Sequence, residues 1–356
     1  MKEKFKHIST STHNLDAVFL LETLEEFINT PSPVGFYELG NELLQKYADE
    51  LAYPSYLDER RCFYIEVKGE NSNKKIQLGA HMDTLGYMVD TINENGTISL
   101  KELGGIQNHS VEHEKFYLFT RDLKCYTGYL LLKHHSVHVY EDARTMPRDI
   151  ENMRFYLDED VHSYQEVIDL GIRVGDVLAP EPRFEVLDNG RIRSRFLDNK
   201  ASVSVLLTML KYLKENDLKP KYDTIFSFPY YEEVNAGGAY IPPGVTEYVA
   251  LDIGAMSENN RGTERSVSII VADKHLNYDR ELTGKLVGIA EDIGIPFSNE
   301  IFPRYSTDSM CAFRAGHNLK HAAFGMNVLG THGMERTFLE SIYHTAELCL
   351  EYILSV

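Results

Sequence analysis

Between Tyr87 and Arg183 the chain runs through short β-type pieces with no convincing helical period, and on either side β-type runs alternate with amphipathic helical ones. Alternation of strands and helices builds a parallel or mixed sheet flanked by helices. A long run of short strands does not continue such a sheet. The expectation is therefore an α/β domain formed by 1–86 and 187–356, with a separate small β domain, 87–186, inserted into it. A length of 356 residues and 43% hydrophobic content suffice for both cores.

The flanking elements are legible one by one. Leu15, Val18, Phe19, Leu21, Leu24 and Phe27 recur at helical spacing before the Thr30-Pro31-Ser32-Pro33-Val34-Gly35 break, and a second helix is expected from Tyr37 to Leu51. Cys62 to Val67 and Lys75 to Ala80 read as strands. After the insert, a helix over Ala201 to Glu215 is followed by strands at Asp223 to Phe228, Tyr248 to Leu251, Ser266 to Val271 and Ala322 to Val328. Helical stretches at Asp279 to Ile293 and Glu335 to Ile353 alternate with them.

Five short motifs follow apolar runs of this kind: His81-Met82-Asp83, Leu197-Asp198-Asn199, Glu232-Glu233, Asp252 and Thr331-His332-Gly333. Strand ends of open α/β sheets are where ligands collect. Two imidazoles and several carboxylates are the donors that a pair of borderline divalent cations takes, and a bridging carboxylate suits two ions about 3.5 to 4 Å apart. On this reading Asp198 bridges, His81 and Asp252 complete one ion, and Glu233 and His332 complete the other. Glu232 is left to take a proton from water and return it to a leaving amine, and Asp83 orients the His81 ring. Singly, each motif has a plain structural reading: a loop hydrogen bond, a solvated face or a helix cap. Their order and shared strand-end position carry the inference.

The charge balance, 36 basic against 54 acidic residues for a net −18, argues against nucleic acid or an anionic membrane surface as partner. Such acidity suits solubility first and a cationic ligand, such as a peptide amine, second. Cys62, Cys125, Cys311 and Cys349 are scattered with no Cys-x-x-Cys pair, so reduced, mostly buried thiols are expected. Met1-Lys2-Glu3-Lys4-Phe5-Lys6 leads into no apolar segment, and no later stretch approaches a membrane span. A cytoplasmic protein is expected.

Several of these motifs, with others, resemble one family. Gly79-Ala80-His81-Met82-Asp83, Gly171-Ile172-Arg173-Val174-Gly175-Asp176-Val177-Leu178-Ala179-Pro180, Leu197-Asp198-Asn199-Lys200-Ala201, Glu232-Glu233-Val234 with Gly238-Ala239, and Leu251-Asp252 are similar, in order, to the M42 dinuclear metallo-aminopeptidases. That family includes the tetrahedral aminopeptidases and proteins once labelled endoglucanases. The resemblance covers nearly the whole chain. It implies a phosphorylase/hydrolase-like catalytic domain with an inserted PDZ-like β domain serving assembly or access. It implies two ions, zinc foremost with cobalt or manganese as alternatives, and a peptide substrate cleaved at its N-terminus. A homo-oligomer, twelve subunits in the family's shells, is implied as well. Positions matching His81, Asp198, Glu233, Asp252 and His332 bind metal there, and the one matching Glu232 is the general base. A cis peptide bond after the bridging aspartate is implied at Asp198-Asn199.

Departures from the family pattern fall beside the ligands. Asp83-Thr84 stands for the usual Asp-Glu, Asp198-Asn199-Lys200 for Asp-Asp-Arg, and Asn235 for a Gly. Leu329-Gly330-Thr331-His332-Gly333-Met334-Glu335 replaces an Arg-Tyr-x-His-Ser pattern, which leaves His317 and His321 as rivals to His332. Thr307 and Asp308 fall where the family has a Thr-Asp loop near the substrate pocket. Two alternatives to an aminopeptidase stand at this stage: an amidohydrolase on a blocked peptide or small N-acyl substrate, and a non-catalytic scaffold.

Overall fold

The structure, a computed structural model, describes residues 13–355. The N-terminal run Met1 to Lys6 lies outside them. The chain divides into two compact units, Met1–Asp83 with Arg183–Val356, and Thr84–Pro182.

In the first unit α1 (Ala17–Ile28) and α2 (Glu38–Glu50) lead into β1 (Ser55–Leu57), β2 (Phe63–Val67) and β3 (Asn71–Gly79). The second unit contains β4 (Gly86–Ile92), β5 (Ile98–Leu103), β6 (Lys115–Phe119), β7 (Cys125–Leu132), β8 (Met153–Leu157), the short helix α3 (Tyr164–Asp169) and β9 (Val177–Pro180). The first unit resumes with β10 (Glu185–Val186), β11 (Arg191–Ser194), α4 (Leu197–Glu215), β12 (Tyr222–Phe228), β13 (Val245–Leu251) and β14 (Gly254–Ala255). It ends with β15 (Val267–Ala272), α5 (Arg280–Ile293), β16 (Phe297–Ile301), α6 (Asp308–Arg314), β17 (Lys320–Val328), β18 (Glu335–Phe338) and α7 (Leu339–Ser355).

A mixed sheet in the order β1-β2-β12-β3-β13-β17-β15-β16, with β14 beside β17, organises the first unit. Its four central strands, β12, β3, β13 and β17, are mutually parallel. Gly79 pairs with both Ser227 and Ala250, so β3, β12 and β13 end near one level, while β17, whose Phe324 pairs with Leu251, runs on to Val328. Whatever follows each of them is thereby delivered to one edge of the sheet.

The helices form for local reasons. Asp16 caps α1 by accepting from the Val18 and Phe19 N–H groups at 3.1 and 3.0 Å. Asp279 caps α5, and Gly294 ends it at φ +71°, a conformation a side chain would strain. α4 carries Val203, Val205, Leu206, Met209 and Leu210 all buried, and it packs on α1 and α7. It is enclosed on every side, so its apolar stripe is wider than that of a surface helix.

One expected element changes character. The helical pattern drawn from Glu335 begins only at Leu339, and Glu335–Phe338 is a strand antiparallel to β11, with Ser194 opposite Glu335. Thr337 and Phe338 suit a strand, and the helical face of Leu339, Ile342, Tyr343 and Ala346 starts after them. Of the cysteines, all unpaired among the described residues, Cys62 and Cys349 are buried, Cys311 is half-buried and Cys125 is exposed. The expectation of mostly buried thiols therefore holds for two of them. No helix of the described residues is long and apolar enough to cross a membrane.

The second unit is a closed six-stranded barrel, in the order β4-β5-β8-β7-β6-β9. Tyr87, Phe116 and Phe155 meet edge to face in its core, at centroid distances of 5.6 and 6.1 Å. A PDZ-like domain was the expectation for this insert, and a barrel of six strands is the architecture observed. α3 is a helix that the β-type texture had not suggested.

Candidate metal centre

Each of the four central strands hands a predicted residue to the same edge. His81 follows β3, Glu232 and Glu233 follow β12, Asp252 follows β13, and His332 lies in the turn after β17. Asp198 arrives from a different direction, at the start of α4, where Asp198 and Asn199 have non-helical backbone angles and the bond between them is cis as expected.

His81 sits at the centre. Its Nδ1 lies 3.0 Å from the Asp83 carbonyl oxygen, and its Nε2 lies 3.1 Å from Asp198 Oδ1. A carbonyl only accepts, so Nδ1 carries a proton and Nε2 is the nitrogen turned to the carboxylates. Glu232 Oε2 is 3.8 Å from that Nε2. The other oxygen of Asp198, Oδ2, lies 4.0 Å from His332 Nε2, which is itself 3.6 Å from Glu233 Oε2. Asp198 thus presents one oxygen to each histidine. Among the described residues two groupings could hold a cation, His81 with Asp198 and Glu233, and His81 with Glu232 and Asp252, and neither includes His332. The second includes Glu232, which the sequence reading had kept apart from the ligands.

The Asp83 carboxylate has a use beyond the His81 ring, from which it lies 3.5 Å. Its two oxygens accept the backbone N–H groups of Glu232 and Glu233, each at 3.1 Å. The same side chain therefore fixes the imidazole and the Glu-Glu turn. Asn235, closing that turn, has φ +58° and ψ +38°, the left-handed conformation that Gly or Asn takes most readily. The Asn-for-Gly departure keeps the backbone requirement.

The other departures are absorbed by packing. Asn199 donates its amide to the Leu251 carbonyl at 2.7 Å, behind Asp252. Lys200 is fully buried and donates to the Ser32 hydroxyl, which in turn donates to the Met82 carbonyl at 2.7 Å. Burial pushes its amine down to about 7.

The three histidine candidates separate clearly in space. His332 faces Asp198 and Glu233. His317 turns to the Ala239 carbonyl at 3.3 Å, and His321 stacks on Phe313 at 4.5 Å between ring centroids. Thr307 is buried: its hydroxyl meets Tyr278 at 2.8 Å and Ser309 at 3.2 Å, and caps α6 through the Met310 N–H. Asp308 is buried beside Gly237 and Gly238, positions where a side chain would collide with it. The sequence reading passed over Glu335, a buried carboxylate that accepts the Asp198 and His332 N–H groups. The helical reading of residues 335–338 concealed it.

The electrostatics fit a cation. Burial raises Glu232 and Glu233 well above the carboxylate range; against the His81 imidazole, the charges of Asp252, Asp308 and Glu233 add to the rise at Glu232, and those of Asp198, Asp83 and Asp252 to the rise at Glu233. Burial, then the charge of Asp198, pushes Asp252 up to about 8. Asp198 alone is held low: burial opposes its charge, but the His81 hydrogen bond and both imidazoles outweigh it. Glu233 Oε1 is buried with no hydrogen-bond partner. An excess of enclosed carboxylate oxygens over donors is the arrangement that divalent cations neutralise.

Asp308 yields a pH prediction. Burial, with the Asp83 charge adding, raises its carboxyl from 3.8 to about 7. The folded protein then binds this proton more tightly than the unfolded chain does, so the associated stability is complete below the unfolded value and declines as pH rises through the folded one. In metal-free protein Asp308→Asn is expected to raise the melting temperature at about pH 8 and to leave it nearly unchanged at about pH 4. A variant that melts no higher than the parent at the alkaline pH contradicts the assignment.

A sequence profile described as M42 glutamyl aminopeptidase matches residues 62–348. The Bacillus subtilis (strain 168) protein named "Putative aminopeptidase YhfE" is 36% identical over 337 residues, covering 94% of this chain and 97% of that protein. Among solved structures, aminopeptidase APDkam598 from the archaeon Desulfurococcus kamchatkensis superposes with a TM-score of 0.85 at 21% identity, over 96% of each chain. The Pyrococcus horikoshii TET1 peptidase, which can assemble into a tetrahedron or a large octahedral shell, gives 0.84 at 21% identity, over 95% of this chain and 100% of that one. The chain belongs to the M42 glutamyl aminopeptidase family. It is a hydrolase that releases N-terminal residues from peptides.

Proposed function

We propose that the reaction runs at a two-metal centre in which Asp198 bridges, His81 and Asp252 complete one site, and Glu233 and His332 complete the other. The observation that carries this reading is the placement of the two Asp198 oxygens, 3.1 Å from His81 Nε2 and 4.0 Å from His332 Nε2. Mixed imidazole and carboxylate donors favour zinc, with cobalt or manganese as alternatives. Bound there, the ions supply Lewis-acid polarisation of the scissile carbonyl and acidify a water molecule.

The remaining steps belong to the protein. Glu232 takes the proton of the attacking water and returns it to the leaving amine. Asp83 holds the Glu232 and Glu233 backbone in place and keeps the proton of His81 on Nδ1. Asp308, buried alongside, and Thr307, which caps its helix, belong to the wall of the substrate pocket. The enclosed negative charge suits a substrate with a free α-amine.

The same reading makes 1–86 and 187–356 the catalytic domain, of phosphorylase/hydrolase-like type, and 87–186 a PDZ-like insert that serves assembly or access. It also makes the protein cytoplasmic and a homo-oligomer; the likeness to the TET1 peptidase, whose assemblies include a dodecamer, supports the oligomer.

The test is a panel of aminoacyl reporters assayed with and without chelator, alongside metal analysis. Release of free amino acid, loss of it with chelator and about two ions per chain are the expected results. Activity only on N-acylated reporters, or activity indifferent to chelator, overturns the proposal.

A further inference from the structure

Asp198 and His332 lie on segments distant in sequence, and one side chain bonds to both. Glu335, in β18 opposite Ser194 of β11, accepts the Asp198 N–H through Oε2 at 3.1 Å and the His332 N–H through Oε1 at 3.2 Å. It also accepts the Leu197 N–H. Its carboxylate is buried, with 2% of the residue exposed.

Both segments need such a partner. His332 has φ +63°, an uncommon conformation for a residue with a side chain, which the hydrogen bond to its N–H helps to hold. At the start of α4 the cap position is Phe196, which offers no side-chain hydrogen bond, and the backbone of Asp198 and Asn199 is non-helical. The first N–H groups of a helix are left without intrahelical acceptors. A carboxylate from a distant strand satisfies them, and its second oxygen fixes the turn that carries His332.

We propose that Glu335 is a positioning residue for the metal centre, a clamp that sets the spacing between Asp198 and His332 and so the affinity of the ion those two share. This inference rests on the two-metal reading above. Glutamine in its place cannot do the same. Its one oxygen accepts, while its NH2 faces a backbone N–H that also donates. Groups that orient metal ligands cost about 10–100-fold in affinity when removed.

The experiment is a calorimetric titration of zinc into metal-free protein, comparing the parent with His332→Ala, Glu335→Gln and Glu335→Asp. His332→Ala identifies the step that depends on His332. Glu335→Gln is expected to weaken that same step by about 10–100-fold and the other step less, with Glu335→Asp, which keeps both acceptor oxygens, in between. At the step that depends on His332, the double variant His332→Ala with Glu335→Gln should bind no more weakly than His332→Ala alone, because there the clamp acts through that residue.

If His332→Ala leaves both steps intact, the ligand set itself is wrong. If it removes one step while Glu335→Gln binds both ions like the parent, the clamp is refuted and the ligand set stands. Equal weakening of both steps with a lower melting temperature of the metal-free protein marks a plain helix cap, and refutes the clamp too. A measurement on the unsubstituted protein does not depend on any variant folding. The His332 amide should exchange slowly with deuterated solvent despite lying in a turn, and fast exchange overturns the proposal.

Discussion

Glu232→Gln is expected to lower kcat by about 10²–10⁴-fold while the protein still binds its metal. Glutamine keeps the shape and hydrogen-bonding capacity of glutamate but cannot accept a proton from water. The backbone that sets its position stays pinned, because Asp83 bonds the Glu232 N–H and not its side chain. A base is most effective when its pKa lies near the working pH. Burial raises the Glu232 carboxyl, and the charges of Asp252, Asp308 and Glu233 push the same way. Because the loss is confined to the transition state, kcat and kcat/KM should fall together with KM little changed. Steady-state kinetics combined with metal analysis checks this. Loss of metal along with turnover would instead make Glu232 a ligand, as its grouping with His81 and Asp252 allows. Turnover equal to that of the parent would leave it no role in proton transfer.

How much of this centre the sequence reveals depends on where each residue's neighbours come from. His81, Glu232, Glu233 and Asp252 are legible because they follow apolar strands, and these strands, β3, β12 and β13, lie side by side in parallel. Strand-end position converts directly into proximity in such a sheet. Asp198 is legible by motif only, since it enters from the β11 to α4 junction. Glu335 is hidden because its strand of four residues exists through pairing with β11, a long-range event with no local period. Glu335 itself reads as the first residue of an amphipathic helix until Ser194 is placed opposite it.

The second unit shows the same limit. Its strands were visible as short β-type pieces, but closure into a barrel is decided by which edges pair, here β4 with β9 and β5 with β8. Thr307 and Asp308 illustrate a third case. The motif singles out the segment, while the hydroxyl network of Tyr278, Thr307 and Ser309 and the close approach of Gly237 and Gly238 depend on contacts between distant segments. Both residues are buried, and their chemistry is set by what encloses them.

Asp198→Asn is expected to remove tight binding of both ions and to lower activity by more than about 100-fold, beyond the cost of losing a residue that only orients a ligand. The amide keeps the volume of the side chain but offers one oxygen and no charge to a position where two oxygens face two histidines. In the metal-free protein the substitution acts in two directions. The charge of Asp198 is among the causes that raise Glu233, Asp252 and Glu335, so removing it relieves repulsion among buried carboxylates. His81 loses the hydrogen bond that, against burial, does most to hold its proton, so its pKa should fall. Thermal melts with and without zinc isolate the loss of metal binding. A ligand that binds only the folded state raises the melting temperature. Added zinc should therefore stabilise the parent strongly and Asp198→Asn hardly at all. If zinc protects the variant as well as it protects the parent, Asp198 does not bridge. In that case the two histidines hold their ions independently, with Glu233 and Asp252 as their partners.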